Sequence, residues 1–334
     1  MMSNNNSLYP LLFLPVLKDY IWGGRNLETI LGRQLPEGNI AESWEIAAHD
    51  DGASFIINGR YRGLTLKEVH ALLGLDLIGR NNAWAQERGI FPLLVKLLDA
   101  SDKLSVQVHP DDSYALAHEG NELGKSEMWV VLHAEPGAEI ILGIRQGVTP
   151  EQFHQGIIDG SLEPLLHRVP VCTGDHVCVP SGTLHAILGG ILIVEIQQNS
   201  NTTYRVFDWN RTQGGKARPL HIDKAMEVIN FDVIEPELKH RVPLEKTESI
   251  TRSLLCSNQY FIAELIQIQP GGEFNGYLNG DTLEIWGVIA GNIHVNSIRL
   301  SAVQFTLLPA ALGHYSIAAP EGATCLRTYV AKAS

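Results

Sequence analysis

Several stretches of the 334-residue sequence carry side chains whose types and order suit metal-assisted chemistry. In Leu104-Ser105-Val106-Gln107-Val108-His109, strand alternation puts Leu104, Val106 and Val108 on one face and Ser105, Gln107 and His109 on the other. Gln107 and His109 can then converge on one point. Taken alone, one such histidine is more often the wet side of a strand before a turn. In Lys125-Ser126-Glu127-Met128-Trp129-Val130-Val131, Lys125, Glu127 and Trp129 share a face. A carboxylate in so apolar a run is costly unless it is paired or metal-bound; pairing with Lys125 is the plain alternative. Glu195 closes the apolar run that begins at Ile191, where desolvation is expected to raise its pKa toward general-base duty. Arg205, beside Tyr204 and Val206, offers a guanidinium that can hold a phosphate or a developing oxyanion. Surface pairing fits Arg205 equally well. The polar loop Gln197–Thr203 between them supplies partners for sugar hydroxyls.

The segment from Gly174 to Gly189 is the most specific. Pro180 and Gly182 make a tight corner, and His185 emerges just after it on a new strand. The order G-x5-P-x-G-x2-H-x3 resembles the second signature of the cupin barrels, with Gly189 where Asn is common. That resemblance implies an imidazole directed into a small β-barrel, where cupins bind metal. Gln107, His109, Glu127 and His185 then make a set of two imidazoles, one carboxylate and one amide oxygen. Such a set suits one Zn²⁺ per chain, with Fe²⁺, Mn²⁺ or Co²⁺ also compatible. One anionic ligand leaves the site positively charged, and no thiolate closes it, so open positions and catalysis are expected. His176 and His221 lack such surroundings and read as core or surface residues.

The elements that must position these groups are short strands punctuated by 31 glycines and 16 prolines, the texture of a mainly β protein with helical excursions. Capping patterns predict helices after Thr65 (with Glu68, stopping at Gly74) and after Thr149 (with Pro150 and Gln152, stopping at Gly160). Further short helices are predicted over Tyr114–Glu119 and Lys224–Asn230. The length exceeds one ordinary core, and the polar stretch Ile234–Glu248, with Pro236 and Pro243, reads as a linker. Two cupin-like β-barrel (jelly-roll) domains follow. Residues 1–240 form the metal-binding catalytic domain, with a helical insertion over Thr149–Leu166. Residues 241–334 form a β-domain without metal, since His294 and His314 lack the frame around His185. Lys plus Arg total 25 against 37 for Asp plus Glu, so the net charge of −12 argues against nucleic-acid binding but not against a small anion held by a few local cations. Four scattered cysteines, none in a CxxC spacing, read as reduced thiols. The polar start, Met1–Ser7, lacks Lys or Arg, so neither a signal peptide nor a membrane span is expected and the cytoplasm is the expected location.

Six blocks go further: KDYIWGG, AESWEIAAH, FPLLVKLLDASDKLSVQVHPDD, GKSEMWVVL, VPSGTLHAI and VEIQQNSNTTYRVFDW. In order and over the first 240 residues, they resemble type I mannose-6-phosphate isomerase in its compact bacterial form. The resemblance implies metal ligands at Gln107, His109, Glu127 and His185, a catalytic arginine at Arg205, and further active-site positions at Lys125 and Glu195. It also implies a sugar phosphate as partner and an aldose–ketose isomerisation of mannose 6-phosphate and fructose 6-phosphate through a cis-enediol(ate). Glu195, Lys125 or a metal-linked water could move the proton, and Arg205 could bind either enediolate or phosphate. Lys96 and Arg211 are lesser phosphate candidates. A non-catalytic sugar-phosphate-binding cupin, an isomerase of a free sugar and an iron- and O₂-using cupin oxidoreductase stand as alternatives. The oligomeric state is left open.

Overall fold

The apolar run near the N-terminus forms the strand Leu11–Leu14, which pairs antiparallel with Phe305–Leu308, Leu11 lying opposite Leu307, and with Phe55–Ile56. The computed structural model describes residues 7–213 and 216–331. Because this first strand joins a C-terminal sheet, the compact units are not 1–240 and 241–334. Among the described residues, one unit comprises 7–16, 44–94 and 240–331; the other comprises 17–43, 95–213 and 216–239. Strand pairing depends on backbone hydrogen bonds and is indifferent to separation along the chain, so a local linker cannot reveal such an exchange.

The second of these units carries all the candidate site residues. A six-stranded sheet runs in the order His176–Val179, Glu127–Ala134, Ile191–Gln198, Leu93–Ala100, Glu42–Ile46 and Val16–Lys18, and a five-stranded sheet in the order Leu166–Pro170, Glu139–Ile144, His185–Ile187, Val106–Val108 and Tyr204–Phe207. Both sheets end on edge strands, so the expected closed barrels are open sheets in this mainly β fold; closure needs the first and last strands to pair. Trp22, Leu98, Leu142, Ile187 and Ile193 belong to one apolar cluster of this unit. Val106, Val108, Phe153 and Tyr204 belong to a second. Alternation thus buries Val106 and Val108 and turns Gln107 away from their cluster.

The predicted helix ends carry their caps. Thr65 and Glu68 form a full capping box on Leu66–Leu73, and Thr149 and Gln152 do the same on Pro150–Asp159, which Gly160 ends in the left-handed conformation. Asp111 caps Asp112–His118 by accepting from the Tyr114 amide. The helix expected over Lys224–Asn230 instead spans Ile222–Val228 and follows His221, with no side-chain cap. The stretch read as a linker contains a strand, Val242–Lys246, paired with Ile250–Ser257. Cys172 and Cys325 are free, whereas Cys178 and Cys256 are disulfide-bonded rather than reduced. Among the described residues no helix is long and apolar enough to cross a membrane.

Candidate metal centre and its cavity

Register aligns the site. On the five-stranded sheet Gln107 lies opposite His185 on one side and opposite Arg205 on the other. On the six-stranded sheet Glu127 lies opposite Gln197 and Trp129 opposite Glu195. Directly paired residues point to the same side of a sheet, so each sheet presents its polar residues as a row.

His109, Glu127 and His185 come together, with one ligand atom from each within 4.8 Å of the others. All three are buried. Each imidazole is oriented from behind: His109 Nδ1 lies 2.8 Å from the Thr202 carbonyl and His185 Nδ1 lies 2.9 Å from the Thr183 carbonyl. Those carbonyls accept the Nδ1 protons and leave both Nε2 lone pairs facing the carboxylate. His109 Nε2 is 3.6 Å and His185 Nε2 3.3 Å from Glu127. Burial, helped by the Lys125 ammonium, holds His109 well below its usual pKa; burial also lowers His185 to about 4. Both rings are thus neutral, the form that ligates. Gln107 Nε2 is 3.3 Å from His185 Nε2 and its Oε1 accepts from Ser105 Oγ at 3.3 Å. Turning the amide over would present an oxygen to a cation at the same place. Two neutral imidazoles, one carboxylate and one amide, with no thiolate, fit a divalent metal with room for further ligands.

Lys125 precedes the strand that Glu127 begins, and its ammonium contacts Glu127, His109 Nε2 at 3.2 Å and Glu195 at 3.8 Å. Burial and the Glu195 charge push Glu127 up to about 7. Glu195 departs from expectation. Burial does work to raise it, but the ammoniums of Lys125 and Lys96 outweigh burial and lower its pKa. Lys96, named above as a lesser phosphate candidate, is buried between Glu195 at 3.4 Å and Glu42 at 3.6 Å. The Trp129 indole N–H bridges Glu127 (3.1 Å) and Glu195 (3.2 Å), tying the two carboxylates together.

A cavity of about 250 Å³ opens over this row; Glu42, Lys96, Gln107, Lys125, His185 and Glu195 are among its walls, and Arg205 and Arg218 also line it. Arg205 Nε donates to Ser105 Oγ (3.1 Å) and one terminal nitrogen donates to the Pro219 carbonyl (3.0 Å). Neutral acceptors leave its charge available, unlike the surface ion pair weighed from composition. Burial, together with the nearby Arg218 guanidinium, lowers its pKa. Arg218 was not foreseen. Asp208 orients it and also accepts from Arg211, whose other end reaches Asp102 at 3.0 Å. Arg211 is thereby satisfied by carboxylates. His221 and His176 lie outside the ligand set; His221 Nδ1 accepts from the Arg205 amide at 3.2 Å. The cavity therefore offers a cation site beside carboxylates and ammoniums, and guanidiniums for an anion further along the same row.

A family model for the type I phosphomannose isomerase catalytic domain matches residues 11–133. Over 317 residues the chain is 38% identical to the probable mannose-6-phosphate isomerase GmuF of Bacillus subtilis, spanning 92% of this chain and 96% of that protein. It is 45% identical over 223 residues to the mannose-6-phosphate isomerase of Streptococcus mutans, spanning 66% and 68%. The crystal structure of the mannose 6-phosphate isomerase from Bacillus subtilis superposes with a TM-score of 0.85 at 32% identity, covering 97% of this chain and 100% of that one. Matched by the family model and by a curated relative over 96% of that relative's length, the chain belongs to the type I phosphomannose isomerase family.

Proposed function

We propose that this protein interconverts mannose 6-phosphate and fructose 6-phosphate, and that Gln107, His109, Glu127 and His185 hold one Zn²⁺ per chain for that reaction. The observation that carries this reading is the convergence of two imidazoles and a carboxylate beside a cavity that is also lined by Arg205, whose guanidinium hydrogen-bonds to neutral acceptors. When bound, the cation supplies positive charge near sugar oxygens that become negative during enolisation.

The chain's own residues do the rest. Arg205 and Arg218 attract the phosphate or the developing oxyanion, and Ser105, Asn201 and Thr203 line the same cavity as hydroxyl partners. The isomerisation moves one proton from C2 to C1 and a second from the C2 hydroxyl to the C1 oxygen. Glu195, ionised and facing the cavity, accepts the first and returns it to the neighbouring carbon. Lys125, touching Glu195 and Glu127, favours the charged form of each carboxylate and serves as the second candidate for the transfer. The two units are read as cupin-like jelly rolls, with residues 241–334 belonging to the metal-free one. A cytoplasmic location accords with a phosphorylated substrate, whose charge keeps it from crossing lipid unaided.

Metal analysis with a two-substrate assay tests the proposal. Purified protein is expected to carry about one equivalent of metal, to convert mannose 6-phosphate much faster than mannose, and to lose turnover on exhaustive chelation, regaining it with Zn²⁺. Full activity after metal removal rejects the metal-assisted mechanism, and binding of sugar phosphate without turnover selects a non-catalytic role. Glu195→Gln is expected to keep substrate affinity while cutting kcat by about 10²- to 10⁴-fold and slowing exchange of the C2 hydrogen with solvent. Unchanged isotope incorporation dismisses Glu195 as the base.

A further inference from the structure

The two units are built on the same plan. In the C-terminal one, strands run in the order Phe305–Leu308, Glu284–Val295, Ala323–Tyr329, Ile262–Ile268, Ile250–Ser257 and Val242–Lys246. This reproduces strand for strand the six-stranded sheet of the metal-bearing unit. The second sheet repeats too: Ile298–Ser301, the end of Glu284–Val295, Gly313–Ala319 and Gly272–Leu278 follow the sequence and pairing of Leu166–Pro170, Glu139–Ile144, His185–Ile187 and Val106–Val108.

Register then equates single residues. Glu127 lies opposite Val179, which precedes Pro180; Glu284 lies opposite Leu308, which precedes Pro309. Two residues after each glutamate a tryptophan donates its indole N–H to that glutamate, Trp129 at 3.1 Å and Trp286 at 2.8 Å. Glu195 pairs with Trp129 where Arg327 pairs with Trp286. His185 faces Glu127 where the Tyr315 hydroxyl donates to Glu284 at 2.5 Å. Opposite His185 stands Gln107, and opposite Tyr315 stands Gly276, where any Cβ would fall 2.2 Å from the phenol ring.

We infer that the C-terminal unit keeps a copy of the metal centre in which the Arg327 guanidinium has taken over the cation's role toward Glu284. The signs along the row are inverted to suit. Beside Glu127 the row reads Glu195, Lys96, Glu42; beside Glu284 it reads Arg327, Glu264, Arg252. Arg327 binds Glu284 through Nε at 3.0 Å and through a terminal nitrogen, and reaches Glu264 at 3.3 Å. Glu284 and Glu264 are both buried, and a buried carboxylate persists only when its charge is answered. Arg327 answers it from within the chain, so this unit needs no ion, and where His185 faces Glu127 the Tyr315 hydroxyl meets Glu284.

The test uses the full-length protein and reads metal content and thermal stability rather than turnover, so its outcome stays separate from that of the isomerase assay. Wild type, Arg327→Met, Glu284→Gln and the double variant are loaded with Zn²⁺, dialysed and analysed. Arg327→Met is expected to lower Tm by roughly 10 °C, because it strands a buried carboxylate. The double variant is expected to regain most of that loss, and every variant to hold the same single equivalent of metal as wild type. A second equivalent in wild type that disappears with Glu284→Gln overturns the inference; so does an Arg327→Met protein as stable as wild type, or a double variant that sums the two losses. Should Arg327→Met fail to fold, the metal content of wild type and Glu284→Gln still decides.

Discussion

His185→Ala is expected to abolish stoichiometric metal binding and to lower kcat/KM by about 10³-fold or more, since an electrophilic metal contributes several kcal/mol to a developing negative charge. The ring stands at the meeting point of the two sheets, opposite Gln107 and 3.3 Å from Glu127, with its Nδ1 proton fixed on the Thr183 carbonyl. Alanine removes one of the two neutral nitrogens in the set and replaces neither its volume nor its orientation. His109→Ala removes the other, and the same loss is expected. Thermal shift with added Zn²⁺ provides the internal control. A ligand that binds only the folded state raises Tm, so wild type is expected to shift upward with metal while the variant stays flat. A His185→Ala protein that retains one equivalent of metal after dialysis removes that residue from the site.

How much of this was legible from residues alone depended on whether the signal was local. The turn at Pro180 and Gly182 announced His185 because that corner has its own backbone chemistry, and strand alternation correctly turned Gln107 away from Val106 and Val108. The helix after Thr149 was equally readable, its capping residues and terminal glycine being fixed by hydrogen bonds within one turn. Glu127 was found as a carboxylate in an apolar run, yet the same reasoning passed over Lys96, which sits in a strand whose every residue is buried. A lysine there has to meet carboxylates, and Glu42 and Glu195 are those partners. That pairing also reverses the expectation for Glu195, because desolvation and two ammoniums act in opposite directions and only coordinates decide between them.

Long-range pairing was invisible. Nothing near Leu11 announces that its partner is Leu307, so the expected boundary at residue 240 missed the N-terminal contribution to the C-terminal unit. The likeness between the two units was hidden for a related reason. Glu-x-Trp recurs at Glu127 and Glu284, but the positions around it carry opposite charges and His185 gives way to Tyr315, so identity is lost while register and strand order persist.

Arg205→Ala is expected to leave the protein folded and metal-loaded while lowering kcat/KM for the sugar phosphate by about 10²- to 10³-fold, the usual cost of deleting one preorganised donor to a developing or fixed anion. The structure supports so selective a loss. Arg205 lies opposite Gln107, and its guanidinium hydrogen-bonds to Ser105 and Pro219 rather than to the ligand set. Lysine is a poor substitute, because a single ammonium cannot span two acceptors in the plane that a guanidinium does. Comparing two substrates separates the roles this residue could play. If Arg205 grips the phosphate, the alanine variant loses its preference for mannose 6-phosphate over mannose, with the change falling mainly on KM. If it steadies the enediolate, both substrates lose kcat by the same factor and the preference survives. Arg218→Ala is the companion variant, since Asp208 holds that guanidinium at the same cavity. Near-wild-type kinetics for Arg205→Ala on both substrates refutes either role and moves the anion-binding charge to Arg218.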